Sequence, residues 1–190
     1  MGDAIGIILA AGESKRMGAP KALLAWRGRT FVERVEEGIL AAGLDDVRVI
    51  VGAWARGRAL PVRRARVLEN PRPEAGPISS IRVGLAGVPS EARFALVALV
   101  DHPAVREETY RAVAELARSR PGEVIIPTHD GHGGHPVAFP RELFAMLLDP
   151  VCASARDAVA RHPHVHRWEC GDAGVLTDLD TPEELERSQP

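Results

Sequence analysis

The chain is poor in lysine. Of its 24 basic residues only two, Lys15 and Lys21, are lysines, and both fall in one short stretch near the N-terminus. An ammonium is a compact point charge and a guanidinium is a planar fork, so the two are not interchangeable at a tight phosphate site. Either the pair sits where the smaller cation is required, or it fell by chance on an exposed loop. Aromatic residues are scarce too, at 4%, which argues against a stacking platform for single strands. The net charge of -2 gives no bulk attraction to nucleic acid or to an anionic membrane. No apolar run reaches the ~18 residues of a membrane span. The start, Met1-Gly2-Asp3-Ala4, has no basic region of a signal peptide, and Gly6 stands where myristoylation needs Ser or Thr. Cys152 and Cys170 lie far apart with no metal-type spacing and read as reduced thiols of a cytoplasmic protein.

What is present is an ordinary globular composition, 45% hydrophobic and 26% charged over 190 residues. One domain, 1–190, with its own core is expected. Residues 4–9 form an unbroken apolar run, the mark of a strand buried on both faces. Thr30 opens a helix over 31–42 closed by Gly43, and strands follow at 47–51 and 65–68. Asn70-Pro71-Arg72-Pro73 is a loop before a helix at 77–87. Phe94–Val100 is a strand, and Pro103 suits the first turn of a helix over 104–118. After a strand at 124–126, Pro127–Pro140 reads as a long loop or two short strands. Helical patterns recur at 141–148 and 154–161, with strands at 164–168 and 174–178. Thr181-Pro182-Glu183-Glu184 starts a last helix, with Thr181 as cap and acids in the first turn. Strands alternating with helices predict an α/β fold with a mostly parallel sheet. Ligands of such sheets bind at the carboxyl ends of the strands. Two loops there are loaded: 10–21 after the first strand and Asp101-His102-Pro103 after the strand that ends at Val100.

The first loop combines small residues, Ala10, Ala11 and Gly12, with three cations, Lys15, Arg16 and Lys21. Small side chains let a ligand approach backbone N–H groups, and clustered cations suit a triphosphate. Neither the Walker spacing nor the dinucleotide Gly-x-Gly-x-x-Gly is present. Asp101 is open to two readings, a helix N-cap before Pro103 or a carboxylate ligand for Mg²⁺, which prefers hard oxygen donors. Asp178 and Asp180 carry the same two readings. His129, His132 and His135 share three-residue spacing, but Gly133 and Gly134 argue against a rigid metal site. His162, His164 and His166 alternate as exposed residues on an edge strand. The cluster Arg56, Arg58, Arg63, Arg64 and Arg66 reads as a solvated face.

Leu9-Ala10-Ala11-Gly12-x-Ser14-x-Arg16-Met17-Gly18-x-Pro20-Lys21 resembles the signature of the MobA-like nucleotidyltransferases, most closely the molybdenum cofactor cytidylyltransferase (MocA-like) branch. Further stretches resemble that family in the same order: Asn70-Pro71 with Gly76 and Ser79-Ser80-Ile81, then Asp101-His102-Pro103, Gly134-His135-Pro136-Val137, and Asp178-Leu179-Asp180-Thr181. The resemblance implies a Rossmann-like three-layer α/β/α nucleotidyltransferase fold of the nucleotide-diphospho-sugar transferase type. It implies transfer of CMP from CTP to a phosphorylated acceptor such as molybdopterin, with Mg²⁺ as cofactor and contact with a molybdoenzyme or its maturation factor. Leu9, Ala10, Ala11 and Gly12 would hold base and ribose, with Lys15 beside them. Arg16 and Lys21 would bind the triphosphate. Asn70, Gly76 and Ser80 would line the base, and Ala11 goes with cytidine rather than guanosine. Asp101 would bind Mg²⁺, completed by Asp178 or, as second choice, Asp180. His102 and His135 would lie on the acceptor side.

Two stretches depart from the family pattern. Leu148–Arg156 lacks the two glycines of a Gly-Asp-x-Gly-Ala-Arg element, and residue 102 is His rather than Gln or Met. Both fall where the acceptor would bind. They leave two other expectations standing: a sugar-1-phosphate nucleotidyltransferase, and a nucleotide-binding regulator or maturation partner without turnover.

Overall fold

The computed structural model describes residues 2–12, 14 and 17–188. In chain order, strand β1 (Ala4–Ala10) is followed by a small hairpin, β2 (Ala25–Trp26) and β3 (Arg29–Thr30), and by helix α1 (Phe31–Ala41). Next come β4 (Asp46–Val51), β5 (Arg66–Glu69), α2 (Pro77–Leu85), β6 (Phe94–Leu99) and α3 (Glu107–Ser119). The second half holds β7 (Val124–His129), β8 (His132–Gly133), β9 (Val137–Pro140), α4 (Phe144–Leu148), α5 (Ala155–Arg161), β10 (Val165–Glu169) and α6 (Pro182–Arg187).

The main sheet runs β10-β7-β9-β6-β1-β4-β5, with β8 paired to β7. β1 lies parallel to β4 and β6, while β9 is antiparallel to both β6 and β7. Both faces are covered, which is why β1 shows no polar alternation. Its Ile5 and Ile7 point into the layer of α2, α4 and α5, with Ile78, Ile81, Leu147 and Ala158. Ala4 and Ile8 point into the opposite layer of α1 and α3, with Phe31, Val35, Ile39, Tyr110 and Val113. The result is the expected three-layer α/β/α fold with a mostly parallel sheet.

Local chemistry sets the helix starts. In α1 the Glu33 backbone N–H donates to Thr30 Oγ1 (3.4 Å), and the Thr30 N–H donates to Glu33 Oε2 (2.8 Å). This reciprocal capping box satisfies two otherwise orphaned donors. Thr181 and Glu184 repeat the device at α6. Helix α3 differs from the expected 104–118. It begins at Glu107, because the buried Asp172 carboxylate takes the Arg106 N–H (3.0 Å) and the Thr109 hydroxyl (2.6 Å). The cap comes from a residue far along the chain, so Pro103 does not set the start and Asp101 is not the N-cap residue. The expected strand at 174–178 is instead a 3-10 turn at Ala173–Leu176. Its Gly174 lies directly against the Ala104 backbone, a contact that leaves no room for a side chain.

The arginine-rich stretch is pinned from beneath. Glu36 is fully buried, and its carboxylate accepts the backbone N–H groups of Arg63, Arg64 and Ala65, each at 2.8 Å. The guanidiniums themselves pair outward, Arg56 with Glu69, Arg64 with Asp45 and Arg66 with Asp46. Among the described residues, no helix is long and apolar enough to cross a membrane. Cys152 and Cys170 are both free thiols.

Candidate active site

The chain runs from β1 outward to β4 and β5, then returns to β6 on the other side of β1. Strand order therefore reverses between β1 and β6, and the crevice at their carboxyl ends is where an open α/β sheet binds its ligand. The 9–21 loop leaves β1 at that point, and Asp101 follows β6.

Backbone contacts fix the loop's exit. The Leu9 carbonyl accepts Val100 N–H (3.1 Å), and the Ala10 carbonyl accepts the Trp54 indole N–H (3.2 Å). Gly52 runs tightly beneath, since a Cβ there would lie 2.5 Å from the Ala11 carbonyl oxygen. Further along, Ser14 Oγ accepts the Lys21 backbone N–H (3.0 Å) and the Ser14 carbonyl accepts Met17 N–H (2.9 Å). These bonds turn the chain so that Lys21 faces back toward β6. Lys15 and Arg16 lie outside the described residues.

A cavity of about 290 Å³ opens here, lined among others by Leu9, Gly12, Ser14, Lys21, Asp101 and Asp180. Lys21 Nζ donates to Asp101 Oδ2 at 2.8 Å and also to Asp180 Oδ1. Partial burial alone would lower the Lys21 pKa, but hydrogen bonds and charge from both carboxylates outweigh it and raise the ammonium above its ordinary value. Asp180 reaches this point because the Leu179 N–H donates to the Asp101 carbonyl (2.9 Å), docking the C-terminal segment onto the β6 exit. Asp178 is exposed and lines none of the cavities described here. Two partly exposed carboxylates, Asp101 and Asp180, thus converge on one cation; Asp180 lies beside Lys21, and Asp178 does not line this cavity.

A second cavity, of about 280 Å³, shares Leu9, Gly12 and Asp101 with the first and adds Ala11, Gly76 and Ser80. Gly76 has φ +84°, a conformation strained for any other L-residue, and it turns the chain into α2. Asn70 is buried behind this wall rather than in it. Its Nδ2 donates to Ser79 Oγ (2.8 Å) and Ser80 Oγ (3.0 Å), and its Oδ1 accepts Arg72 N–H (2.9 Å). Asn70 positions Ser80, and its own side-chain groups are already engaged.

On the far side of Asp101, His102 is buried and His135 sits edge-on to it, ring centroids 5.6 Å apart. His102 Nε2 is 4.0 Å from Asp101 Oδ1. Burial, with the neighbouring His102, pushes His135 down to about 4, so its ring is neutral near pH 7. The three-residue histidine spacing does not converge: His129 and His132 face each other across β7 and β8, while His135 joins His102. Of His162, His164 and His166, only His166 lies on β10; His162 caps α5 and its Nε2 contacts the Gly122 carbonyl at 2.7 Å. Ser14 and Trp54 were not singled out from sequence. A serine inside the loop signature was the available signal for the first; the second acts from a distant turn and left none.

Comparison with known proteins decides the family. The model of the MobA-like NTP transferase domain matches residues 6–167. The chain belongs to the MobA-like NTP transferase family. It is 31% identical to a probable molybdenum cofactor guanylyltransferase of Mycobacterium ulcerans, covering 95% of this chain and 90% of that one. It is 28% identical to the molybdenum cofactor cytidylyltransferase of Escherichia coli, over 94% and 92% of the two chains. The MocA-like branch is therefore not favoured over guanylyltransferases. A nicotine blue oxidoreductase of Paenarthrobacter nicotinovorans is 32% identical over 96% of this chain and 94% of its own. Among solved structures, Rv0371c of Mycobacterium tuberculosis H37Rv superposes with TM-score 0.76 and 27% identity, covering 98% and 96% of the chains. The same protein has been crystallised with manganese (TM-score 0.73, 25% identity, 98% of each chain).

Proposed function

We propose that the protein transfers a nucleotidyl group from a nucleoside triphosphate to a phosphorylated acceptor, releasing pyrophosphate. The observation that carries this reading is the Lys21 ammonium held between Asp101 and Asp180 at the β1/β6 crevice. The cavity around them has room for phosphates, and the adjoining cavity at Gly76 and Ser80 takes the nucleoside. An acceptor phosphate oxygen attacks the α-phosphorus, the bond to the bridging oxygen breaks, and pyrophosphate departs. Such transfers depend on positioning and on neutralising the charge of the leaving group. Lys21 serves that second need, together with Arg16.

Two carboxylates that already converge on one cation are hard oxygen donors and fit Mg²⁺. Asp101 and Asp180 would hold the ion, which neutralises phosphate charge when bound, and Lys21 is then free to pair with the phosphates. The manganese in the mycobacterial relative supports this assignment. Ala11 supports CTP as donor, and the relatives' names support molybdopterin as acceptor.

The printed name of one relative, nicotine blue oxidoreductase, motivates a second reading, a redox reaction on the same scaffold. The test is incubation with CTP, GTP, ATP or UTP plus Mg²⁺ and molybdopterin or a panel of sugar phosphates, with pyrophosphate measured. Parallel tubes hold reduced nicotinamide cofactor and a quinonoid dye. Pyrophosphate release only with an acceptor supports transfer. Cofactor oxidation without pyrophosphate overturns it.

A further inference from the structure

The segment that carries Asp180 into the β1/β6 crevice continues into helix α6, none of whose residues is buried. Burial of its own side chains therefore does not fix the helix. Leu179 is buried just before it, and Leu185 packs partly against the core. Its far end is tied by Ser188, whose Oγ accepts the Trp26 indole N–H (2.9 Å) and whose carbonyl accepts Arg27 Nη2 (3.2 Å). Trp26 belongs to the hairpin that follows Lys21 in sequence. The donor loop and the C-terminal segment thus meet twice, Lys21 with Asp180 and Trp26 with Ser188.

Between these two contacts stands Glu184. In the capping box of α1, Glu33 Oε2 accepts the Thr30 N–H and the Thr30 hydroxyl (2.7 Å). In the box of α6, Glu184 Oε2 accepts the Thr181 N–H (2.9 Å) and, as its second bond, the backbone N–H of Asp180 (2.8 Å). A helix start leaves the donors of its first turn unpaired, and Asp180 lies before that turn. The bond to Asp180 is therefore more than capping requires. Two successive N–H groups aimed at one oxygen form a concave anion seat. That seat fixes the peptide between them, and with it the direction in which the Asp180 side chain leaves the backbone. The Asp180 N–H, followed by that of Thr181, holds the Glu184 carboxyl below its ordinary pKa against the opposing charge of Asp180. The seat is thus filled by a carboxylate near neutral pH.

We propose that Glu184 is a positioning residue: through the Asp180 backbone N–H it sets the Asp180 carboxylate against Lys21. Its effect on turnover rests on the transferase reading, but the positioning itself is read without substrate or metal. The chain has only two lysines, so ¹⁵N-lysine labelling yields two side-chain ammonium groups, and Lys21→Ala identifies the Lys21 signal. An ammonium held by carboxylates exchanges its hydrogens with water slowly, and opening of the contact speeds that exchange. Glu184→Ala speeds exchange at Lys21 by about tenfold or more, the scale of losing an outer partner of a ligating group. Glu184→Gln keeps a carbonyl oxygen for both N–H groups and stays close to wild type. Thr181→Ala removes the other half of the box, the bond from the Glu184 N–H to Thr181 Oγ1 (3.3 Å), and leaves the Asp180 bond in place. It stays close to wild type too. Turnover at saturating substrates follows the same order, lowest in Glu184→Ala.

Equal acceleration in Thr181→Ala and Glu184→Ala makes Glu184 a helix cap alone and overturns the proposal. Unchanged exchange in Glu184→Ala overturns it as well, and so does a wild-type Lys21 ammonium that exchanges as fast as free lysine. The predicted order of exchange in a protein that releases no pyrophosphate with any acceptor leaves the positioning standing and removes the transferase reading.

Discussion

The ammonium of Lys21 lies 2.8 Å from Asp101 Oδ2, although the two residues are 80 positions apart in sequence. It is one of only two lysines in the chain, and it occupies the point where two carboxylates meet. Lys21→Ala is expected to lower turnover by about 10²-fold or more, the scale seen when one charge-stabilising donor is removed. Lys21→Arg is expected to recover little, because a planar fork does not replace a point charge between two carboxylates. Steady-state rates at saturating substrates check both, with circular dichroism confirming that the fold is retained.

The same contact makes a prediction about metal binding that needs no substrate. On the proposed assignment the ammonium and a divalent ion would compete for Asp101 and Asp180, so Lys21→Ala is expected to tighten Mn²⁺ binding to the free protein. Asp101→Asn weakens it by about tenfold or more, whereas Asp178→Asn leaves it unchanged. Electron paramagnetic resonance titration of free Mn²⁺ gives all three constants. Weaker binding in Lys21→Ala contradicts the shared site.

Glu36 predicts a stability effect far from the chemistry. Its buried carboxylate satisfies three backbone N–H groups of the 63–65 turn. Glu36→Ala leaves those donors without their acceptor and should cost on the order of 3 kcal/mol. Glu36→Gln keeps one acceptor oxygen and should cost less. Urea unfolding with unchanged slope measures the difference.

Acid stability should depend on Asp172. Desolvation raises its pKa, but hydrogen bonds from Thr109, Arg106 N–H and Gly174 N–H, with the Arg106 charge, outweigh it and hold the carboxyl below its ordinary value. The unfolded chain therefore binds this proton more readily than the native one. The contribution is complete above the ordinary aspartate value of about 3.9 and is lost as pH falls through the depressed folded-state value. Thermal unfolding of Asp172→Asn across pH 2 to about 6 should show a flatter acid limb than wild type. An unchanged limb contradicts this assignment.

Much of the fold was legible because it rests on local signals. The unbroken apolar run of β1 and the helix starts at Thr30 and Thr181 are read from the sequence and stand so in space. What was not legible depends on distant partners. The start of α3 is set by Asp172, and the 174–176 turn by contact with Ala104. That Asp180 rather than Asp178 lies beside Lys21 follows from the docking of this segment by one hydrogen bond, Leu179 N–H to the Asp101 carbonyl. Asn70 belongs to the same class: the family resemblance implies a base contact, and its packing commits it to Ser79 and Ser80.

The central claim is that the β1/β6 crevice moves an α-phosphoryl-linked nucleotide to an acceptor with Lys21 and Asp101 in place. Triphosphates labelled with ³²P at the α-position, incubated with Mg²⁺, molybdopterin and the protein, report this directly. The account predicts label in an acceptor product with wild type and almost none with Lys21→Ala or Asp101→Asn. Label that stays in the triphosphate with wild type and every nucleotide, or label transferred equally well by both variants, would contradict it.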